Sequence, residues 1–230
     1  MQNEKNLYIV ATPIGNLGDM TFRAVETLKN VDVILCEDTR ETLKLLKHFG
    51  FEKHLVSVHQ HSSAEKVQAL LHRFDNVAYA SDAGTPGISD PGNKVVEAAV
   101  QIGFKVIPIP GACAAIAALS ASGLPTDKFL FLGFLPQKGR TAVYERIKNA
   151  DMTICFYESP HRIGRTLEQL KAILTPDRAV VVSRELTKMF ETIYRGDIVA
   201  VAEAVKENER GEFVVIVSAK PRTTARETTQ

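Results

Sequence analysis

Short apolar runs alternate with longer amphipathic stretches through the first half of the chain. Runs at 7–12, 31–36, 55–58, 77–80 and 105–109 have the length and branching of strands. The stretches between them, 21–30, 41–49, 64–74 and 93–102, carry apolar residues at helical spacing. Val31-Asp32-Val33-Ile34-Leu35-Cys36 is nearly all apolar, as a strand covered on both faces should be. Alternation of this kind predicts a mostly parallel sheet with helices on its faces. An alanine-rich helix at 112–121 closes the unit.

Gly123-Leu124-Pro125-Thr126-Asp127 reads as a hinge, and after it the grammar changes. Strands are expected at 129–134, 153–157, 179–184, 190–194 and 213–218, and helices at 141–149, 163–174 and 197–206. The segments 180–184 and 191–194 are close enough to pair antiparallel, so the second sheet should be mixed. The expected fold class is α/β with two α/β domains, at 1–121 and 122–220. The polar tail at 221–230 is expected to be disordered.

Composition narrows the function without deciding it. The 230 residues are 45% hydrophobic and 24% charged, with a net charge of +1. Residues 1–120 hold 11 basic and 13 acidic side chains, whereas residues 121–230 hold 17 and 14. The basic excess permits a phosphate-bearing substrate in the second half. Cys36, Cys113 and Cys155 are far apart and read as small buried apolar residues. No signal peptide or membrane span is visible, which points to the cytoplasm.

The candidate chemistry sits in polar loops that follow expected strands. The most informative is Ser81-Asp82-Ala83-Gly84-Thr85-Pro86-Gly87-Ile88-Ser89-Asp90-Pro91-Gly92. Its glycines permit conformations and close approaches that a Cβ forbids. Open α/β sheets bind small ligands at such strand ends, although a plain strand-to-helix turn looks similar. Others are Ala11-Thr12-Pro13-Ile14-Gly15-Asn16-Leu17-Gly18-Asp19, Glu37-Asp38-Thr39-Arg40, Pro110-Gly111-Ala112-Cys113, Glu158-Ser159-Pro160-His161-Arg162 and Arg184-Glu185-Leu186-Thr187-Lys188. Neither a dinucleotide fingerprint nor a P-loop fits the glycines after the first run. No nucleophile elbow or catalytic-cysteine signature occurs. His59 and His61 lack further ligands at metal spacing, so no metal is expected.

Taken together, these motifs resemble the tetrapyrrole-methylase superfamily. Within it they are most similar to its RNA-modifying branch, which methylates a cytidine 2′-hydroxyl in small-subunit (16S) ribosomal RNA. The resemblance covers residues 7–219; family members usually carry a further C-terminal segment. It implies S-adenosylmethionine as donor, held in a cleft between two α/β domains, and a homodimer acting on ribosomal RNA or the 30S particle. By motif position, the donor pocket would include Ile14, Asp82, Thr85, Ala112, Cys113 and Tyr157. The backbone of Ala83, Gly84 and Gly87 joins it on physical grounds, because a tight loop presents N–H and C=O groups. Glu185, Asp38 and Glu158 are candidate bases for a weakly nucleophilic hydroxyl. Lys188, Arg184 and Arg40 are candidates to hold phosphate or a developing alkoxide. Arg40, Lys138, Arg140 and Arg162 are candidate RNA contacts. The alternatives are a methylase of a small, tetrapyrrole-like acceptor and a noncatalytic RNA- or nucleotide-binding module.

Overall fold

A computed structural model describes residues 4–59 and 61–221. The tail expected at 221–230 therefore lies, beyond its first residue, outside the described residues. The chain divides into two compact units, with the boundary between Cys113 and Ala114.

The first unit is a five-stranded parallel sheet in the order β3-β2-β4-β1-β5. Its strands are β1 (Asn6–Val10), β2 (Val33–Cys36), β3 (Leu55–Ser57), β4 (Asn76–Ala80) and β5 (Lys105–Ile109). Its helices are α1 (Phe22–Asn30), α2 (Thr39–His48), α3 (Ala64–Leu71) and α4 (Gly92–Gln101). Strand residues alternate between two cores, as the two-residue period of a strand demands. Val10, Ile34, Ala78 and Ala80 pack with Ala24 and Leu28 of α1 and Leu46 of α2. Leu7, Leu35, Val77 and Tyr79 pack on the opposite face with Val67 and Leu71 of α3 and Val95 of α4.

The helices that follow β1 and β4 thus lie on opposite faces, although the two strands are neighbours. This is a topological switch point, where the loops leaving adjacent strands diverge and open a crevice at the strand carboxyl ends. Helix starts are marked by side chains that take orphan N–H groups. Thr21 accepts from the Ala24 N–H, Asp38 from Arg40 and Ser63 from Lys66.

The second unit begins with α5 (Ala114–Ser122). Expected from residue 112, this helix starts two residues later and belongs to the second unit. It packs on two strands of a mixed sheet ordered β6-β7-β10-β8-β9. These strands are β6 (Phe129–Phe134), β7 (Thr153–Glu158), β8 (Ala179–Arg184), β9 (Thr192–Asp197) and β10 (Phe213–Val217). β6 and β7 are parallel, and the remaining pairs are antiparallel, including the expected β8–β9 pair. α6 (Arg140–Asn149), α7 (Ile163–Lys171) and α8 (Ile198–Lys206) cover one face. Ile147, Leu167 and Val201 from these helices meet Ile154, Phe156, Val182 and Val215 there.

A fully enclosed arginine ties this unit together. The Arg178 guanidinium donates to the carbonyls of Ile147 and Lys148 at the end of α6, and to that of Ser218 after β10. It satisfies orphan carbonyls with a cation at the negative end of the helix dipole. Among the described residues, no helix is long and apolar enough to cross a membrane.

Candidate functional site

In the first unit, four loops gather at the carboxyl edge of the parallel sheet. Those leaving β1 and β4 are joined directly. The Thr12 N–H donates to the Gly84 carbonyl at 2.9 Å, and the Gly84 N–H returns to the Thr12 carbonyl at 3.1 Å. The Thr12 hydroxyl donates to the Ser81 carbonyl and the Ser81 hydroxyl to that of Gly84. The Thr85 hydroxyl donates to the Ala112 carbonyl at 2.9 Å, tying in the loop after β5. Asp82 accepts from the Asp38 N–H at 3.1 Å, tying in the loop after β2. The loops therefore form one hydrogen-bonded rim, with Ile14, Asp82, Ala83, Gly84, Thr85, Gly87, Ala112 and Cys113 all on or beside it.

The loop after β4 is shaped by its own backbone. Gly84 has φ +81°, and a Cβ there would come within 3.2 Å of the Ile14 side chain. Gly92 opens α4 where a Cβ would lie 2.8 Å from the Gly87 nitrogen and 2.9 Å from the Tyr79 ring. Asp90 accepts from the N–H groups of both Gly87 and Gly92 and folds the loop on itself. Nothing in the sequence distinguished Asp90 from an ordinary turn aspartate, and its organising part went unread. Beside Thr12, Ile14 and Asp82 opens a cavity of about 310 Å³ that reaches Thr42 and Leu45 of α2.

The edge is acidic. Burial, with Asp82 and Asp90 nearby, pushes the Glu37 carboxyl above its ordinary value. Asp38 is held well below the usual carboxylate range, first by its hydrogen bond from the Arg40 side chain. Arg40 is exposed and folds onto Asp38 at 2.6 Å. Asp38 also caps α2, so its carboxylate is a poor proton acceptor with local duties already.

The second unit handles charge differently. Glu158, at the end of β7, has a fully enclosed carboxylate. It takes ion pairs from Arg162 at 2.8 Å and Arg140 at 3.4 Å, a hydroxyl from Thr166 at 2.7 Å and the Ser159 N–H at 2.9 Å. Arg140 also donates to the Pro136 carbonyl and Arg162 to that of Leu135. These contacts bear on three expectations. Glu158 already accepts from four donors, and Arg140 and Arg162 hold the 135–136 backbone. Lys138 is exposed on the same loop.

Arg184 is engaged likewise: it is 6% exposed and donates to the carbonyls of Arg210 and Phe190. Glu185 and Lys188 form an ion pair at 2.9 Å, extended by Glu212 at 2.8 Å from Lys188. Burial works against both charges. The Lys188 hydrogen bond nevertheless leaves Glu185 below its ordinary value, and the Glu212 and Glu185 hydrogen bonds leave Lys188 above its own. Glu185 and Thr187 have φ of 52° and 67°, a left-handed backbone that costs about 1 kcal/mol or more per non-glycine residue. Tyr157, one residue before Glu158, accepts the Ala115 N–H at the start of α5.

Against known proteins, a family profile described as Tetrapyrrole (Corrin/Porphyrin) Methylases matches residues 6–202. The chain belongs to the tetrapyrrole methylase family. That match runs through the loops after β1, β2, β4, β5, β7 and β8. A relative from Haemophilus influenzae, named Ribosomal RNA small subunit methyltransferase I, is 48% identical over 224 residues, covering 94% of this chain and 79% of the relative. Among solved structures, a diphthine synthase superposes with TM-score 0.72 at 17% identity, covering 94% of this chain and 90% of that one. A Thermus thermophilus uroporphyrin-III C-methyl transferase complexed with S-adenyl homocysteine gives 0.63 at 20%, covering 93% and 97%. At these identities the two structures are similar in fold alone.

Proposed function

We propose that this chain transfers a methyl group from S-adenosylmethionine to small-subunit ribosomal RNA, at a cytidine 2′-hydroxyl. The observation that carries the reading is the 48% identity to a ribosomal RNA small subunit methyltransferase over 94% of the chain. The first unit's rim supports it. At two left-handed glycines, Gly84 and Gly87, the backbone carries no side chain, and Asp82, Ala83 and Gly87 are exposed. Four carboxylates on that edge suit a ligand that carries positive charge.

When bound, the donor supplies an electrophilic methyl group on a positively charged sulfur. Ile14, Thr85, Ala112 and Cys113 would wall its pocket, with Asp82 accepting from hydroxyl or amino groups. Tyr157, which stands in the second unit, is assigned there on motif position alone. A ribose hydroxyl is a weak nucleophile, so placement supplies most of the rate. Lys188, kept charged by Glu185 and Glu212, is the group to hold a phosphate or steady negative charge on the acceptor oxygen. Glu185 serves by positioning Lys188, since a carboxyl below its ordinary value is a weak base. Arg40 and Lys138 remain the RNA contacts. A homodimer, the cytoplasm and the 30S particle as substrate form the rest of the reading.

The test is methyl transfer from labelled donor to purified small subunits and to free 16S RNA, followed by mapping of the product nucleotide. A 2′-O-methylcytidine is expected. Label only in small tetrapyrrole-like acceptors, or none at all, would overturn the proposal.

A further inference from the structure

β6 breaks its own alternation at one point. Leu130 and Leu132 face the helix-covered core. The two-residue period would send Phe134 to the same face. Gly133 instead takes φ +62°, and the pairing with β7 shifts register between Phe131 and Phe134. Bulges of this kind re-aim a side chain. Phe134 emerges beside Tyr157, with ring centroids 5.3 Å apart and planes at 62°. Phe131 meets the same Tyr157 ring at 4.9 Å.

Phe134 remains 55% exposed, edge-on to the Tyr157 ring. The backbone just after it is fixed. Leu135 is buried, the Arg162 guanidinium holds the Leu135 carbonyl, and Arg140 holds that of Pro136. Two arginines share the single carboxylate of Glu158, and Lys138 stands exposed on the same loop, so this edge carries excess positive charge. A rigid exposed aromatic next to cations is the arrangement that stacks bases of single-stranded RNA.

Resting on the proposed RNA substrate, we propose that Phe134 is a stacking platform for an unpaired nucleobase of the acceptor, with Lys138 contacting an adjoining phosphate. The donor carries no phosphate, so the excess charge points to the acceptor strand.

The experiment compares full-length wild type with Phe134→Ala, Phe134→Trp and Lys138→Ala. It reads acceptor KM and kcat with small subunits, donor Kd by calorimetry, oligomeric mass, and binding of a fluorescent single-stranded oligoribonucleotide by anisotropy. Phe134→Ala should weaken acceptor KM and oligonucleotide binding by roughly 5- to 150-fold. Donor Kd and mass should stay unchanged, and Phe134→Trp should retain binding. Lys138→Ala should lower the salt dependence of binding by about one unit of slope. Acceptor KM and oligonucleotide affinity within twofold of wild type in Phe134→Ala would overturn the proposal. So would weakened donor binding, which would place the ring on adenine, or a change of mass, which would make it a subunit contact. Failure of wild type to methylate ribosomal RNA would sink the broader reading, whereas the anisotropy result speaks to the platform alone.

Discussion

The two units solve the same problem with opposite materials. Both present loops at the carboxyl ends of neighbouring parallel strands, β1 and β4 in the first and β6 and β7 in the second. In the first, main-chain hydrogen bonds, two hydroxyls and glycines shape the rim, and the nearby charges are carboxylates. In the second, arginine and lysine side chains clamp the loops onto carboxylates and carbonyls. A backbone rim fits a small ligand by shape, and the carboxylates beside it favour one that carries positive charge. Around Glu158 two clamped arginines share one carboxylate, which keeps the loop rigid and leaves a local positive charge that suits a polyanion. The proposed division of labour between donor and acceptor rests on that difference.

The largest expected effect lies in the second unit's clamp. Glu158→Ala leaves two guanidinium groups facing one another with no anion, which should cost about 3 kcal/mol or more, read as a lower urea midpoint. Were the loss below about 0.5 kcal/mol, as for an exposed pair, the clamp would be ornamental. Next is the backbone rim. Gly92→Ala forces a Cβ against the Gly87 nitrogen and the Tyr79 ring, an overpacking of about 1–3 kcal/mol. Relief of that clash moves the Gly87 backbone, so donor Kd should weaken as well. Calorimetry showing unchanged donor affinity would mean that the rim does not hold the donor.

The smallest effect is a pH dependence. Glu185 titrates below its ordinary 4.5 in the folded chain, so its contribution is present above that value and is lost as pH falls through the folded pKa. Lys188 titrates above its ordinary 10.5, so its contribution is present below that value and is lost as pH rises through the folded pKa. Wild type should therefore exceed Glu185→Gln in stability by about 1 kcal/mol at neutral pH, and the gap should close in acid. A gap that persists at pH 2 would show that packing, not charge, sets it.

Much of this was legible in the sequence, because strand periodicity and loop composition are local properties. The β8–β9 pairing and the loops after β1, β2 and β4 could be read from spacing and glycine alone. What stayed hidden depends on distant partners. Arg140 and Arg162 look like surface cations until Glu158 is found between them. Glu158 looks like a base until Thr166 and Ser159 are seen to fill its lone pairs. α5 has no polar face to show which sheet it serves, so its membership in the second unit was unreadable. β9, expected at 190–194, starts at Thr192 because 185–191 closes on itself through left-handed turns and the Lys188–Glu185 pair.

The division of labour itself is tested most directly by one paired titration: donor Kd by calorimetry and acceptor KM with small subunits, on Asp82→Ala and Lys188→Ala side by side. Expected is a donor Kd weakened several-fold in Asp82→Ala with acceptor KM near wild type, and unchanged donor affinity in Lys188→Ala with acceptor turnover sharply reduced. Equal losses of donor affinity in both variants, or donor binding indifferent to Asp82, would contradict it.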